Sequence, residues 1–166
     1  MNIRDFLEVE GAKLNLAAGN KVIDGWVNHD RWAHRPEITE TWDLEVTPWA
    51  LWEDNQFRSI VAHDIIEHVY HPIRFIEELW RISAPDAHLY IHTCWAGPQP
   101  GARAAWRDPT HVRPFHEDSF AYFDPIKGGM WYSEYGKFYS PARFEVLKVN
   151  PEPPDNIGFF LRAIKE

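Results

Sequence analysis

The sequence holds a single cysteine, Cys94, in 166 residues. It can form no internal disulfide and no cysteine-based zinc cluster. An excess of cations is also missing: 17 Lys and Arg stand against 25 Asp and Glu, a formal charge of −8. Gripping a phosphate backbone needs clustered Lys and Arg, and the sequence carries no such patch. No apolar run approaches the roughly 20 residues that cross a bilayer. The N-terminus lacks the basic-then-apolar pattern of a secretory signal. These absences lead to the expectation of a cytoplasmic protein with no membrane as partner and no evident nucleic-acid patch. Repeats, low-complexity tracts and a second-domain boundary are missing too, so residues 1–166 are expected to form one domain, large enough to bury a core unaided.

What is present is aromatic. Nine Trp, ten Phe and six Tyr accompany a hydrophobic content of 45% and a charged content of 25%, the balance of a globular chain. So much flat apolar surface suits a core or pocket, and equally a subunit interface; a homo-oligomer stays open.

Periodicity gives a coarse map. Residues 13–17 alternate as a strand and run into the turn Ala18-Gly19-Asn20. A second strand over residues 25–29 ends at Asp30, with too little chain between the two for a normal crossover helix. A third is expected over residues 38–44, stopping near Asp43 and the break at Thr47-Pro48. Residues 59–62 are apolar on both faces, as in a central parallel strand. Pro72 opens a helix at a favourable position, and Ile73, Ile76 and Trp80 recur at helical spacing. Pro85-Asp86 turns the chain into a strand over residues 88–93, completing a strand–helix–strand unit. An irregular stretch over residues 96–114 and a short helix over 117–123 follow. Strands over 143–149 and 157–164 then form an antiparallel hairpin. The fold class is therefore α/β: a reduced Rossmann-like sheet, mostly parallel, with a C-terminal antiparallel hairpin and few helices.

Open parallel sheets bind ligands beyond the carboxyl ends of their strands. Here those ends carry Ala17, Ala18, Gly19 and Asn20, then Asp30, then Asp43 and Leu44, then His63 and Asp64, then Cys94 and Trp95. A carboxylate at the end of a second strand is placed to accept from both hydroxyls of a ribose. Asp43 can accept from an adenine amino group, and Gly19 allows close backbone approach because it has no Cβ. Taken singly, each residue also reads as a turn former or cap. Their order along the chain carries the reading.

The segments LNLAAGN (14–20) and GWVNHD (25–30) resemble the first two motifs of class I S-adenosylmethionine-dependent methyltransferases, most closely the type 11 branch. DIIEHV (64–69), ELWRI (78–82) with Pro85-Asp86, and DPTHVRPF (108–115) are similar to later segments of that branch. The resemblance implies methyl transfer with S-adenosylmethionine as cofactor. It places Ala17, Ala18, Gly19 and Asn20 along the methionine part, Asp30 at the ribose, Asp43 and Leu44 at the adenine, and His63 and Asp64 beside the sulfonium. It also marks departures: an acidic residue is usual where Asn15 stands, and glycine is usual at Ala17 and near Lys21.

If the acceptor must lose a proton, the candidates are His111, His63 and Asp108, with Asp64 and His68 close by. Histidine is the best acceptor near neutrality, and His111 is favoured. Arg113 is expected to orient an anionic acceptor, with Trp95, Trp106 and Phe115 as walls of the site; a small molecule or a saccharide is the favoured acceptor class. No metal is expected. A metal-dependent hydrolase built on His63, His68 and His71 with Asp64 and Glu67, or on His88 and His92, is the weaker alternative. A binding module without turnover, or an enzyme that cleaves the cofactor, are the others.

Overall fold

The computed structural model describes residues 2–97 and 105–165. A seven-stranded sheet runs in the order β3-β2-β1-β4-β5-β7-β6. Its strands are β1 (Lys13–Leu16), β2 (Val27–Asp30), β3 (Glu40–Thr41), β4 (Phe57–His63), β5 (Ser83–Cys94), β6 (Phe144–Glu152) and β7 (Asn156–Ala163). The first five pair in parallel, and the β6–β7 hairpin joins β5 antiparallel. The α/β class, the parallel sheet, the closing hairpin and the scarcity of helices all match the sequence reading. Among the described residues, no helix is long and apolar enough to cross a membrane.

Several bounds differ from the sequence expectation. β3 shrinks to two residues, because Asp43 turns back through its own side chain to the Glu45 N–H (3.1 Å). β5 is longer than expected: Ser83 is already paired with Phe57 before the turn at Asp86. Only Ala121–Phe123 winds as a 3₁₀ turn in the helix expected over 117–123. A helix α1 (Ile3–Leu7) and a π-helical turn over Trp131–Gly136 carried no recognisable sequence period. Part of the irregular stretch expected over 96–114 lies outside the described residues.

The two faces of the sheet are unequal. Leu14, Leu16, Ile60, Ala62, Leu89, Ile91, Phe159 and Leu161 point into the main core. Helix α2 (Pro72–Ile82) lays Phe75, Ile76, Leu79 and Ile82 on that face, where each buried side chain contributes about 1.5–3 kcal/mol. Trp49 and Trp52 fill the space beside it, edge-to-face with each other and with Phe75 and Phe57. The segment carrying both tryptophans has almost no regular structure. Arg81 holds it, donating to the Trp49 and Trp52 carbonyls and pairing with Glu78 and Asp54. Much of the aromatic excess is therefore core.

Among the described residues, the opposite face is covered by α1, whose Phe6 and Leu7 pack on Val61, Tyr90 and Phe160 with Trp26 and Leu147 beside them. β1 reaches β2 through residues 17–26 without a helix, as the short spacing implied. An amide pair does that helix's work. Asn15 Nδ2 donates to Asn28 Oδ1 and to the Lys21 carbonyl, both at 2.8 Å. Asn28 also exchanges hydrogen bonds with the Ile23 N–H and carbonyl, each at 2.9 Å. Both asparagines are buried, so an acidic group at residue 15 would lose the two donor bonds that pin the loop. Removing a buried partner leaves the other unsatisfied, at a cost of about 1–3 kcal/mol. Urea denaturation of Asn28→Ala should show a loss in that range; an unchanged midpoint would contradict the role given to the pair.

Candidate functional site

Chain direction changes sides between β1 and β4, where Leu16 pairs with Ala62. The loops after these strands therefore diverge, which is the place where open parallel sheets bind ligands. Ala17 leaves β1 with φ +53°, a left-handed backbone that explains why glycine is usual there. Gly19 follows at φ +52°, and a Cβ built on it would meet no heavy atom within 4 Å. Its N–H donates to Asp30 Oδ2 (2.7 Å), and the Arg31 N–H donates to Asp30 Oδ1 (2.6 Å). Asp43 stands on the next tip, paired with Arg31 at 2.8 Å. Arg31 thus donates to both acids, one through its backbone and one through its side chain, and the two carboxylates share one corner of the molecule.

His29 ties that corner together from beneath. Fully buried, it lies edge-to-face against Trp52. A carbonyl can only accept, so His29 Nε2–H donates to Trp42 O (3.1 Å), while Nδ1 takes the Ala17 N–H (3.4 Å). The ring is neutral in this arrangement. Burial pushes its pKa from 6.5 down to about 4, against the opposing effects of the Trp42 carbonyl and Asp30. Sequence reasoning passed over His29, although a histidine between two strand residues beside a rim acid was the available signal.

A second cluster sits at the β4 tip. Asp64, itself at φ +54°, takes His92 Nδ1 at 2.6 Å and lies 2.8 Å from His63 Nδ1. Lys21 Nζ reaches both His63 Nδ1 (2.8 Å) and Asp64 Oδ2 (3.2 Å). Burial raises the Asp64 pKa, but the adjacent His63 and His92 rings outweigh it and hold the carboxyl far below its usual range. Lys21, noted in the sequence only as a missing glycine, supplies the cation of this tip.

The third group lies in a cleft of about 520 Å³ lined by Asp64, Glu67, His68, Asp108 and His111 among others. His111 Nδ1 contacts the Ala105 carbonyl at 2.8 Å, and Asp108 Oδ2 lies 3.9 Å from His111 Nε2. Cys94 also lines this cleft, but burial pushes its thiol up to about 11, which removes it as a nucleophile at neutral pH. A larger cleft, about 880 Å³, opens on the thinly covered face and touches His63 and His92. Neither is lined by Gly19, Asp30 or Asp43.

The other expected positions are placed as follows. Trp95 and Phe115 are buried in the core, bridged to each other, and hold the chain after β5 instead of walling a cleft. Leu44 is also core, its carbonyl accepting from Trp49 Nε1. Arg113 turns toward the Tyr70 carbonyl (3.3 Å). Ala18 is buried, its N–H on the His29 carbonyl, whereas Asn20 and Trp106 are exposed. Of the residues grouped for a metal, His71 is exposed before α2 and His88 binds the Phe6 carbonyl, whereas His63 and Asp64 stay together beside His92, and Glu67 and His68 stay together beside His111.

No protein-family model matches this chain, and no curated protein matches its sequence. Solved structures do match. An S-adenosylmethionine-dependent methyltransferase from Archaeoglobus fulgidus superposes with TM-score 0.64 at 9% identity, over 96% of this chain and 89% of the other. The [4+2]-cyclase SpnF gives 0.64 at 12%, over 98% and 78%. A putative type 11 methyltransferase from Sulfolobus solfataricus gives 0.57 at 16%, over 98% and 89%. The chain has the Rossmann-like fold of S-adenosylmethionine-dependent methyltransferases, with its first crossover stripped to a loop. SpnF's name shows that the fold alone does not dictate the reaction.

The neutral, buried His29 makes stability depend on pH. Above about 6.5 its contribution is complete; as pH falls toward 4 the unfolded chain takes a proton that the folded chain refuses. The loss is about 3 kcal/mol over that window. Urea denaturation from pH 7 to 4 should show it, and His29→Phe should flatten the slope by that amount; parallel slopes would contradict the assignment.

Proposed function

We propose that the protein transfers a methyl group from S-adenosylmethionine to a small polar acceptor, a small molecule or a saccharide. One observation carries this reading: Asp30 and Asp43 meet at a single corner beside an open glycine backbone. The donor set there fits a nucleoside. Each Asp30 oxygen accepts one backbone N–H and keeps a lone pair for a ribose hydroxyl. Asp43 is held by Arg31, and the backbone of 17–20 supplies the wall beside Gly19. Lys21, with His63 and Asp64, offers a cation for the carboxylate end of the cofactor. When bound, the cofactor's sulfonium supplies an electrophilic methyl group.

The chain then has to orient the acceptor and hold its proton. Orientation alone supplies up to roughly 7–11 kcal/mol. The 520 Å³ cleft next to the β4 and β5 tips is rich in carboxylates and imidazoles, which suits an acceptor that presents several hydroxyls. His111 donates its Nδ1–H to a carbonyl, so its Nε2 lone pair can take a proton from such a hydroxyl. Asp108, close to that nitrogen, favours the imidazolium that forms.

Calorimetric titration with S-adenosylhomocysteine tests the cofactor corner. Saturable binding to the wild type, weakened at least about tenfold (about 1.4 kcal/mol) in Asp30→Ala, is expected; absence of binding to the wild type would remove the reading. Once an acceptor is found, His111→Ala should lower turnover by about 100-fold or more while leaving cofactor affinity almost unchanged. Equal turnover would exclude His111 from the chemistry.

A further inference from the structure

From the geometry of Glu67, His68 and His111 we infer a site for one divalent transition-metal ion of the zinc type in the acceptor cleft. One donor atom from each of these three residues lies within 4.8 Å of the other two. The hydrogen bonds around them fix which ring nitrogens are bare. The Thr110 hydroxyl lies 2.6 Å from Asp108 Oδ1 and 3.0 Å from His68 Nδ1. A carboxylate only accepts, so the single hydroxyl proton goes to Asp108, and His68 Nδ1 must donate to the Thr110 oxygen. His68 is therefore protonated on Nδ1, leaving a lone pair on Nε2. The Ala105 carbonyl imposes the same tautomer on His111. Two imidazoles with bare Nε2 atoms, each anchored through Nδ1–H by an oxygen, are the arrangement that orients histidine toward a metal.

Glu67 completes the set. It is 2% exposed, yet among the described residues its carboxylate has the Thr93 hydroxyl as hydrogen-bond partner (2.8 Å) and no cation within ion-pair distance. A buried carboxylate without a counter-charge is costly unless something positive comes to it. The neighbouring group His63, Asp64 and His92 also satisfies the distance criterion, but there the Lys21 ammonium already supplies the positive charge and Asp64 is already engaged by the histidines. Imidazole donors favour zinc-like ions over magnesium, and a cleft on one side leaves coordination positions open.

The binding site stands on these contacts alone; its use in the reaction rests on the methyl-transfer reading. An acceptor hydroxyl bound to the ion would lose its proton to water near neutral pH, as metal-bound water does. The resulting oxygen would form the new O–CH₃ bond as the S–CH₃ bond breaks, the electron pair staying on sulfur. The ion and not His111 then releases the acceptor's proton, so in the loaded protein His111 Nε2 holds the ion in place of acting as the base.

The test is calorimetry of chelator-treated, dialysed full-length protein with Zn²⁺ alone, without methyl donor, and Mg²⁺ as comparison. One equivalent of Zn²⁺ should bind, with Mg²⁺ much weaker. Glu67→Gln, which keeps a partner for Thr93, and His111→Ala should weaken Zn²⁺ binding by about 100-fold or more, while exposed Thr110→Val should weaken it about 10- to 100-fold by freeing the His68 ring. His92→Ala should leave it unchanged. Circular dichroism checks that each variant is folded, and Thr110→Val decides the matter if the buried variants are not. Absence of saturable Zn²⁺ uptake would overturn the proposal, as would uptake that survives Thr110→Val unchanged or is lost in His92→Ala.

Discussion

The molecule depends on β1 lying between β2 and β4, all three parallel, with the chain turning to opposite sides from that central position. This arrangement makes the loops at the strand tips diverge and brings together residues far apart in sequence. It normally demands a long crossover, because parallel strands cannot be joined by a tight turn. Here ten residues suffice, because the Asn15–Asn28 amide pair stitches the loop to the sheet from within. The polar pair is tolerable inside the protein because its amides find partners. A nonpolar residue at either position would leave the loop's backbone groups without them.

Stripping that crossover has two consequences. One sheet face loses its helical cover, so Val61, Tyr90 and Phe160 rely on the small α1, and a wide cleft opens beside it. The opposite face compensates with aromatic bulk: Trp49, Trp52, Phe57 and Phe75 interlock, held by the Arg81–Glu78 pair. The rim between the faces is where polar chemistry concentrates. There the buried His29 links the first and third tips, and Asp64 in a left-handed backbone gathers two histidines and a lysine.

Much of this was legible in the sequence wherever a local pattern mirrors a physical need. The apolar run of β4, the helical spacing of Ile73, Ile76 and Trp80 (which found the helix, although Ile73 is exposed and the buried stripe runs through Phe75, Ile76, Leu79 and Ile82), and the Asp30 and Asp43 positions at strand ends all report on their neighbours in the chain. What escaped detection depends on contacts between distant segments. Trp95 and Phe115 read as pocket walls because their mutual bridge across twenty residues leaves no trace in composition. The grouping of histidines by sequence proximity held only in part, for His63 with Asp64 and His68 with Glu67, and missed the third member of each group for the same reason: His92 joins Asp64 through strand pairing, and His111 joins His68 through a loop. β3 was overestimated because a side-chain turn at Asp43 stops it, which hydrophobic alternation does not register.

The central claim is that the Gly19, Asp30 and Asp43 corner receives a single nucleoside. Amide ¹⁵N–¹H spectra recorded during addition of adenosine test it most directly, because the N–H groups of Gly19 and Arg31 both point at the Asp30 carboxylate. The account predicts that these two signals move together and saturate at one equivalent. Shifts confined to Val61 and Tyr90 on the open sheet face, with Gly19 and Arg31 stationary, would contradict it.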